Sequence, residues 1–219
     1  DTAGSGRVPA GFNNIVGLKP TRGLISAAGV VPACRTLDCI SVFALTAADA
    51  LQVLRAAAAP DAADPYSRAG SPGAVARPRR FRFAVPAAAQ REFCGDDGYR
   101  AAFDLAIQRM IDLGGTPVEF DYAPFLEVAR LLYDGPWVAE RYAVVRELHG
   151  RDPGAFHPVT RQIIETGMRY SAADAFAAFY RLEALRAQTR KLWDAAEVML
   201  VPTSPTAYTV AAVEGDPIK

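Results

Sequence analysis

The chain has 219 residues, enough for one domain with an extended core or for most of a larger one. Hydrophobic residues make up 51% of it and charged residues 22%, and 24 lysines and arginines balance 24 aspartates and glutamates. That balance leaves no global field to draw the chain to nucleic acid or an anionic membrane, and no apolar run reaches the roughly 20 residues of a membrane-crossing helix.

Three cysteines, Cys34, Cys39 and Cys94, form no Cys-x-x-Cys pair. Such a set points to reduced thiols in a cytoplasmic protein, with Cys34 and Cys39 as small buried hydrophobes. His149 and His157 sit in a polar Gly/Pro segment with no partner motif, which reads as two surface residues and argues against a histidine triad or zinc site. No signal peptide is recognisable, and the chain does not begin with methionine.

In chain order, the first nine residues, Asp1-Thr2-Ala3-Gly4-Ser5-Gly6-Arg7-Val8-Pro9, are the most informative. Glycines on both sides of Ser5 tolerate positive φ and let a backbone or substrate come close. Such a run can set a serine hydroxyl beside N–H donors that hold a developing oxyanion; it can equally be a solvated turn, and these residues alone leave both open. Residues 6–13 read as a short helix with Pro9 in its first turn, which places the serine before the positive end of the helix dipole. Asp1 and Arg7 flank the turn and are candidates to pair across it. Residues 15–18 read as a buried strand, ended by Lys19-Pro20-Thr21-Arg22-Gly23 with Lys19 in solvent.

Residues 24–31 read as extended, with a break at Gly29. Thr46 is a helix N-cap, and the helix over 47–58 turns Ala50, Leu51, Leu54 and Ala58 to the core. Residues 60–80 read as a surface loop. The alternation over 81–86 predicts a strand, and Asp96-Asp97 opens a helix with a core stripe of Ala102, Leu105, Ala106, Met110 and Leu113. Gly114-Gly115 closes that helix, and residues 116–120 form the next strand. Strand, helix, strand at this spacing is a βαβ unit and predicts an α/β fold. Helices over 124–133 and 136–148 flank the bend Asp134-Gly135-Pro136. A long helix over 172–195 directs Phe176, Phe179, Leu182, Leu185, Leu192 and Trp193 to the core, and 197–201 is a final strand.

The bend carries the second informative stretch, Leu132-Tyr133-Asp134-Gly135-Pro136-Trp137-Val138-Ala139-Glu140-Arg141-Tyr142. Arg141 lies just over one turn into the following helix and Tyr133 before the bend, so the two could converge on one ligand. Arginine offers a planar fork for a carboxylate and tyrosine a neutral hydroxyl donor. A packed tyrosine and a surface pair of Arg141 with Glu140 or Glu147 account for the same residues.

The string from Asp1 to Ala10, followed by Val16-Gly17-Leu18-Lys19-Pro20-Thr21 and Gly23, resembles the core of the amidase signature family, whose members hydrolyse amides with a Ser–Ser–Lys triad. The resemblance implies that Ser5 is the nucleophile and that the backbone N–H groups of Thr2, Ala3 and Gly4 form the oxyanion hole, Ala3 standing where glycine is commoner. The segment from Leu37 to Asp49 is also similar to the family's, with Ser41 and Leu45 where glycine and arginine are usual. In the family the lysine and middle serine lie upstream, which excludes Lys19 and implies that this chain is a fragment. Pro202-Thr203-Ser204-Pro205 resembles a strand-end element after which family members continue. The implied fold is α/β, a mixed β-sheet core flanked by helices and incomplete here. Residues 1–219 would form one partial amidase domain, with the nucleophile loop at its start and substrate-side helices at about 124–195.

The string around Tyr133 and Arg141 looks like the one that marks the allophanate hydrolase branch, where the tyrosine and the arginine contact the substrate. Pro32-Ala33-Cys34-Arg35-Thr36-Leu37-Asp38-Cys39 is similar to an insert of that branch. Allophanate is a urea whose far nitrogen bears a carboxylate, so its site needs an anion anchor away from the attacked carbonyl. The resemblance implies hydrolysis of this small-molecule amide through an acyl-enzyme, with release of ammonia and carbon dioxide and no metal or organic cofactor. It implies no nucleic-acid or membrane partner, and a homodimer in the complete protein. A general amidase or a glutamyl-tRNA amidotransferase A-like subunit is the alternative within this chemistry. An inactive fragment or binding domain, without the upstream lysine and serine, is the alternative outside it.

Overall fold

A computed structural model of the chain describes residues 1–70 and 79–217. The chain divides into two units, Asp1–Val75 with Pro136–Tyr170 and Ala76–Gly135 with Ser171–Lys219.

The second unit is built on the predicted βαβ element. Strand β3 (Phe81–Pro86) pairs in parallel with β4 (Gly115–Phe120), Phe81 opposite Gly115 and Pro86 opposite Phe120. Strand β5 (Val198–Met199) pairs in parallel on the other side of β3, giving the order β4-β3-β5. A central parallel strand is covered on both faces and reads as a continuous apolar run. Phe83, Ala84 and Val85 accordingly have 0%, 0% and 1% of their surface exposed.

Helix α3 (Asp97–Asp112) links β3 to β4, and the Asp96 carboxylate caps it by accepting from Tyr99 N at 3.0 Å. Gly114, at φ +95°, ends the helix where a Cβ would strike the Arg79 carbonyl. The expected core stripe is met only at Ala106 and Met110. Ala102, Leu105 and Leu113 are exposed, whereas Phe103 is buried and Ala106, Ile107 and Met110 are partly so. Those four follow the i, i+3, i+4, i+7 spacing, and the Phe103 ring packs 5.9 Å from that of Phe93.

Helix α4 (Ala123–Tyr133) lies against α7 (Ala172–Arg190), which a Ser171–Asp174 capping box starts. Ala178 and Leu185 are the buried residues of α7, with Leu182 and Thr189 partly buried on the same stripe. The expected core contacts Phe176 and Phe179 fall off that stripe and are exposed, as is Trp193 in the separate short helix α8 (Leu192–Ala195). Helix α9 (Val210–Gly215), which the sequence did not signal, ends the described chain.

The first unit has shorter elements. Helix α1 (Val8–Phe12) leads into β1 (Val16–Leu18), which pairs antiparallel with β2 (Val42–Ala44). Nothing in the sequence marked β2. Residues 24–31 contain no strand, contrary to expectation; turns replace it, tied by Ser26 Oγ to Asp61 and Ala27 N to Asp64. Helix α2 (Ala47–Ala57) starts at Thr46 and buries Ala50 and Leu54 as expected. Residues 60–70 hold neither helix nor strand, and residues 71–78 of the expected loop lie outside the described residues. Helix α5 (Trp137–Arg151) packs with α6 (Pro158–Glu165), a helix missed from sequence. His149 is therefore not a lone surface residue: its ring is largely covered, with Nε2 3.0 Å from Glu165 Oε1 and the Tyr142 ring 5.7 Å away. His157 is exposed.

Candidate active site

Ser5 stands exposed on a tight turn in which the Gly4 carbonyl accepts the N–H groups of Arg7 and Val8, at 2.9 and 2.8 Å. Pro9 sits in the first turn of α1, where a missing N–H costs nothing. Among the described residues, the N–H groups of Thr2, Ala3 and Gly4 donate to no protein acceptor. The turn thus carries successive unclaimed donors beside an accessible hydroxyl, the raw material of an oxyanion hole.

Glycine is required twice in seating this turn. A Cβ on buried Gly6 would come within 2.7 Å of Asp1 Oδ2 and 2.8 Å of Ser41 Cβ, and one on Gly17 of β1 would run into the Gly6 carbonyl oxygen. The turn and strand therefore meet backbone to backbone. The expected approach of Asp1 and Arg7 is present but loose, with Arg7 Nε 3.9 Å from Asp1 Oδ2. Arg7 also donates through Nη2 to the Ala3 carbonyl.

The turn is anchored by residues 33–39. Asp1 and Cys39 exchange backbone hydrogen bonds, at 2.7 and 2.9 Å. The Asp38 carboxylate accepts from Thr2 Oγ1 at 2.5 Å, Ala33 N at 2.9 Å and Cys34 N at 3.2 Å. A shallow pocket of about 180 Å³ opens here, lined in part by Asp1, Thr2, Ala33 and Asp38.

The other end of this loop reaches α5. The Glu140 carboxylate accepts both Thr36 N–H at 2.7 Å and Thr36 Oγ1–H at 2.6 Å. Cys34 Sγ donates to the Trp137 carbonyl at 3.6 Å and accepts from Arg141 Nε at 3.4 Å. Cys34 is fully buried, and burial pushes its thiol above its ordinary value while the Arg141 hydrogen bond pulls the other way. It is a neutral thiol at neutral pH.

The structure thus places Ser5, Thr2, Ala3, Gly4 and Arg141 in the first unit, while Tyr133, exposed at the last position of α4, belongs to the second. The ties of Thr36, Asp38 and Glu140 escaped the sequence, which offered Glu140 only as a surface partner of Arg141, because their partners lie 36 and 104 residues away and no local pattern announces them. An adjoining cavity of about 220 Å³, lined by Arg22, Arg35, Asp64 and Tyr66 among others and sharing Asp38 with the first, includes neither Ser5 nor Arg141. There the N–H groups of Ala27 and Tyr66 hold the Asp64 carboxylate below the usual range. Among the described residues, no three His, Cys, Asp or Glu side chains gather as metal ligands, and no helix is long and apolar enough to cross a membrane.

The amidase family model matches residues 1–216. The chain belongs to the amidase family. The urea amidolyase of Saccharomyces cerevisiae is 39% identical over 224 residues, covering 100% of this chain and 12% of that protein. The solved allophanate hydrolase of Kluyveromyces lactis is 36% identical with a TM-score of 0.93, covering 100% of this chain and 36% of that one. The A-type component of a Synechococcus glutamyl-tRNA(Gln) amidotransferase is 29% identical over 250 residues, covering 100% of this chain and 48% of that protein. This amidase chain therefore spans about an eighth of the urea amidolyase and just over a third of the solved hydrolase chain. Its parallel sheet and flanking helices are those of an amidase, the fold class expected from sequence.

Proposed function

We propose that the protein containing this chain hydrolyses allophanate to ammonia and carbon dioxide by acyl transfer through Ser5. One observation carries the reading: a single unit holds both the exposed Ser5, with the unclaimed donors of Thr2, Ala3 and Gly4, and Arg141, on a helix tied to the same loop. The likeness to the Kluyveromyces lactis allophanate hydrolase supports it.

Ser5 Oγ attacks the terminal carbamoyl carbon, and the three N–H groups receive the charge that develops on its oxygen. The hydroxyl proton passes through a second serine to a neutral lysine and on to the departing ammonia. Water then cleaves the acyl-enzyme, and the released dicarboxylated nitrogen compound loses carbon dioxide. Arg141 meets the substrate carboxylate with its planar fork. This chemistry needs no metal or organic cofactor. We place these residues in one amidase domain of a cytoplasmic homodimer, its cysteines reduced.

The test is ammonia release by the complete protein. Wild type turns over allophanate in preference to biuret, its uncharged analogue, and Ser5→Ala abolishes turnover. More than a trace of activity in that variant removes Ser5 as nucleophile, and equal use of both substrates replaces the reading with a general amidase.

A further inference from the structure

We propose that Glu140, acting with Thr36 and Cys34, is a positioning residue that fixes the aim of Arg141, so that the loop anchoring the oxyanion donors also sets substrate selectivity. This rests on the allophanate reading above and adds the residues that make Arg141 selective.

An arginine that must capture a small anion loses rotamer freedom on binding unless its side chain is held beforehand. Here the holding group is unusual. The Nε edge of the Arg141 guanidinium rests 3.4 Å from the Sγ of fully buried Cys34, a partner that directs the fork. Glu140, adjacent in sequence, has each carboxylate oxygen occupied by a donor of Thr36, at 2.7 and 2.6 Å. The Cys34 thiol also bonds the Trp137 carbonyl, so loop and helix are joined at Cys34 as well as at Thr36.

The same loop continues to Asp38, which holds Thr2 by its hydroxyl at 2.5 Å. One short segment thus links a proposed oxyanion donor to the proposed carboxylate reader through directed hydrogen bonds. Such ties transmit position because they weaken steeply with distance and angle. Loosening Glu140 should therefore cost selectivity first.

The experiment measures kcat and KM for allophanate and biuret with the complete protein, in wild type, Glu140→Ala, Thr36→Val and Thr36→Ser. Glu140→Ala is expected to lower the allophanate-to-biuret ratio of kcat/KM about tenfold, mainly through a higher KM for allophanate. Thr36→Val, a milder change that removes one of the two donors, lowers the ratio about threefold. Thr36→Ser, which keeps both donors, retains the wild-type ratio. Parallel loss on both substrates would make Glu140 a structural residue only, and an unchanged ratio in Glu140→Ala and Thr36→Val would overturn the proposal. Failure of wild type to favour allophanate overturns the underlying reading instead, and it is seen before any variant is made.

Discussion

The two units differ in how much of their order comes from paired strands. In the second, the six-residue strands β3 and β4 pair along their whole length, and the fully buried Phe83, Ala84 and Val85 form a core that tolerates a solvated surface of ion pairs. In the first, strands β1 and β2 have three residues each, none of β1 is fully buried, and the long connections are held by Asp38, Asp64 and Glu140. Hydrophobic burial is non-directional and supplies stability, whereas hydrogen bonds fix atoms to fractions of an ångström at a modest net gain. The unit that carries Ser5 and Arg141 adds these directed bonds to a core of its own, in which Ala50, Leu54, Trp137 and Val138 are buried.

Removing the largest side chain of the sheet core should have the greatest effect. Phe83→Ala is expected to lower the unfolding free energy by about 3–5 kcal/mol in denaturant titrations of the complete protein. Next comes Asp38→Ala, which orphans the donors of Thr2, Ala33 and Cys34 and costs about 2–3 kcal/mol, accompanied by a fall in kcat. The same stability loss with kcat unchanged would break the link between this loop and the oxyanion donors.

Acid titration probes both units together. Backbone N–H groups of Ala27 and Tyr66 lower the titration of Asp64 in the first, and Tyr99 N–H and Thr206 Oγ1–H lower that of Asp96 in the second. A carboxylate whose folded value is depressed adds stability that is fully present above the unfolded value, about pH 4, and lost as pH falls through the folded value. Asp64→Asn and Asp96→Asn should each flatten the loss of stability below about pH 4, without steepening it above. A smaller effect still is expected at the exposed pair Arg186–Glu183 of the second unit: Arg186→Ala should leave the melting temperature within experimental error.

The same contrast governs what the sequence could tell. The βαβ element was legible because alternation and helical period are local signals, and its boundaries at Phe81 and Gly114 came through nearly intact. The core stripe of α3 was read correctly at Ala106 and Met110, but it runs through Phe103 and Ile107 rather than Ala102 and Leu105, which are also apolar and lie one step around the helix. In α7, Ala178 rather than the larger Phe176 and Phe179 faces inward, since an alanine-rich helix shows no single apolar side. Strand β2 was hidden by its brevity, and the covering of His149 by its dependence on Glu165, 16 residues on. At the site, the Ser5 and Arg141 strings were readable through their likeness to a family, but Thr36, Asp38 and Glu140 were not. Their roles exist only after the chain has brought distant residues together.

The most direct test is the ratio of ammonia release from allophanate and biuret by the complete protein, in wild type and Arg141→Ala. The expected result is a strong preference for allophanate in wild type and its collapse, by about a hundredfold, in the variant, as a charge-assisted carboxylate contact is lost. Equal rates on both substrates in wild type, or a preference that survives the loss of Arg141, would contradict carboxylate reading by this residue.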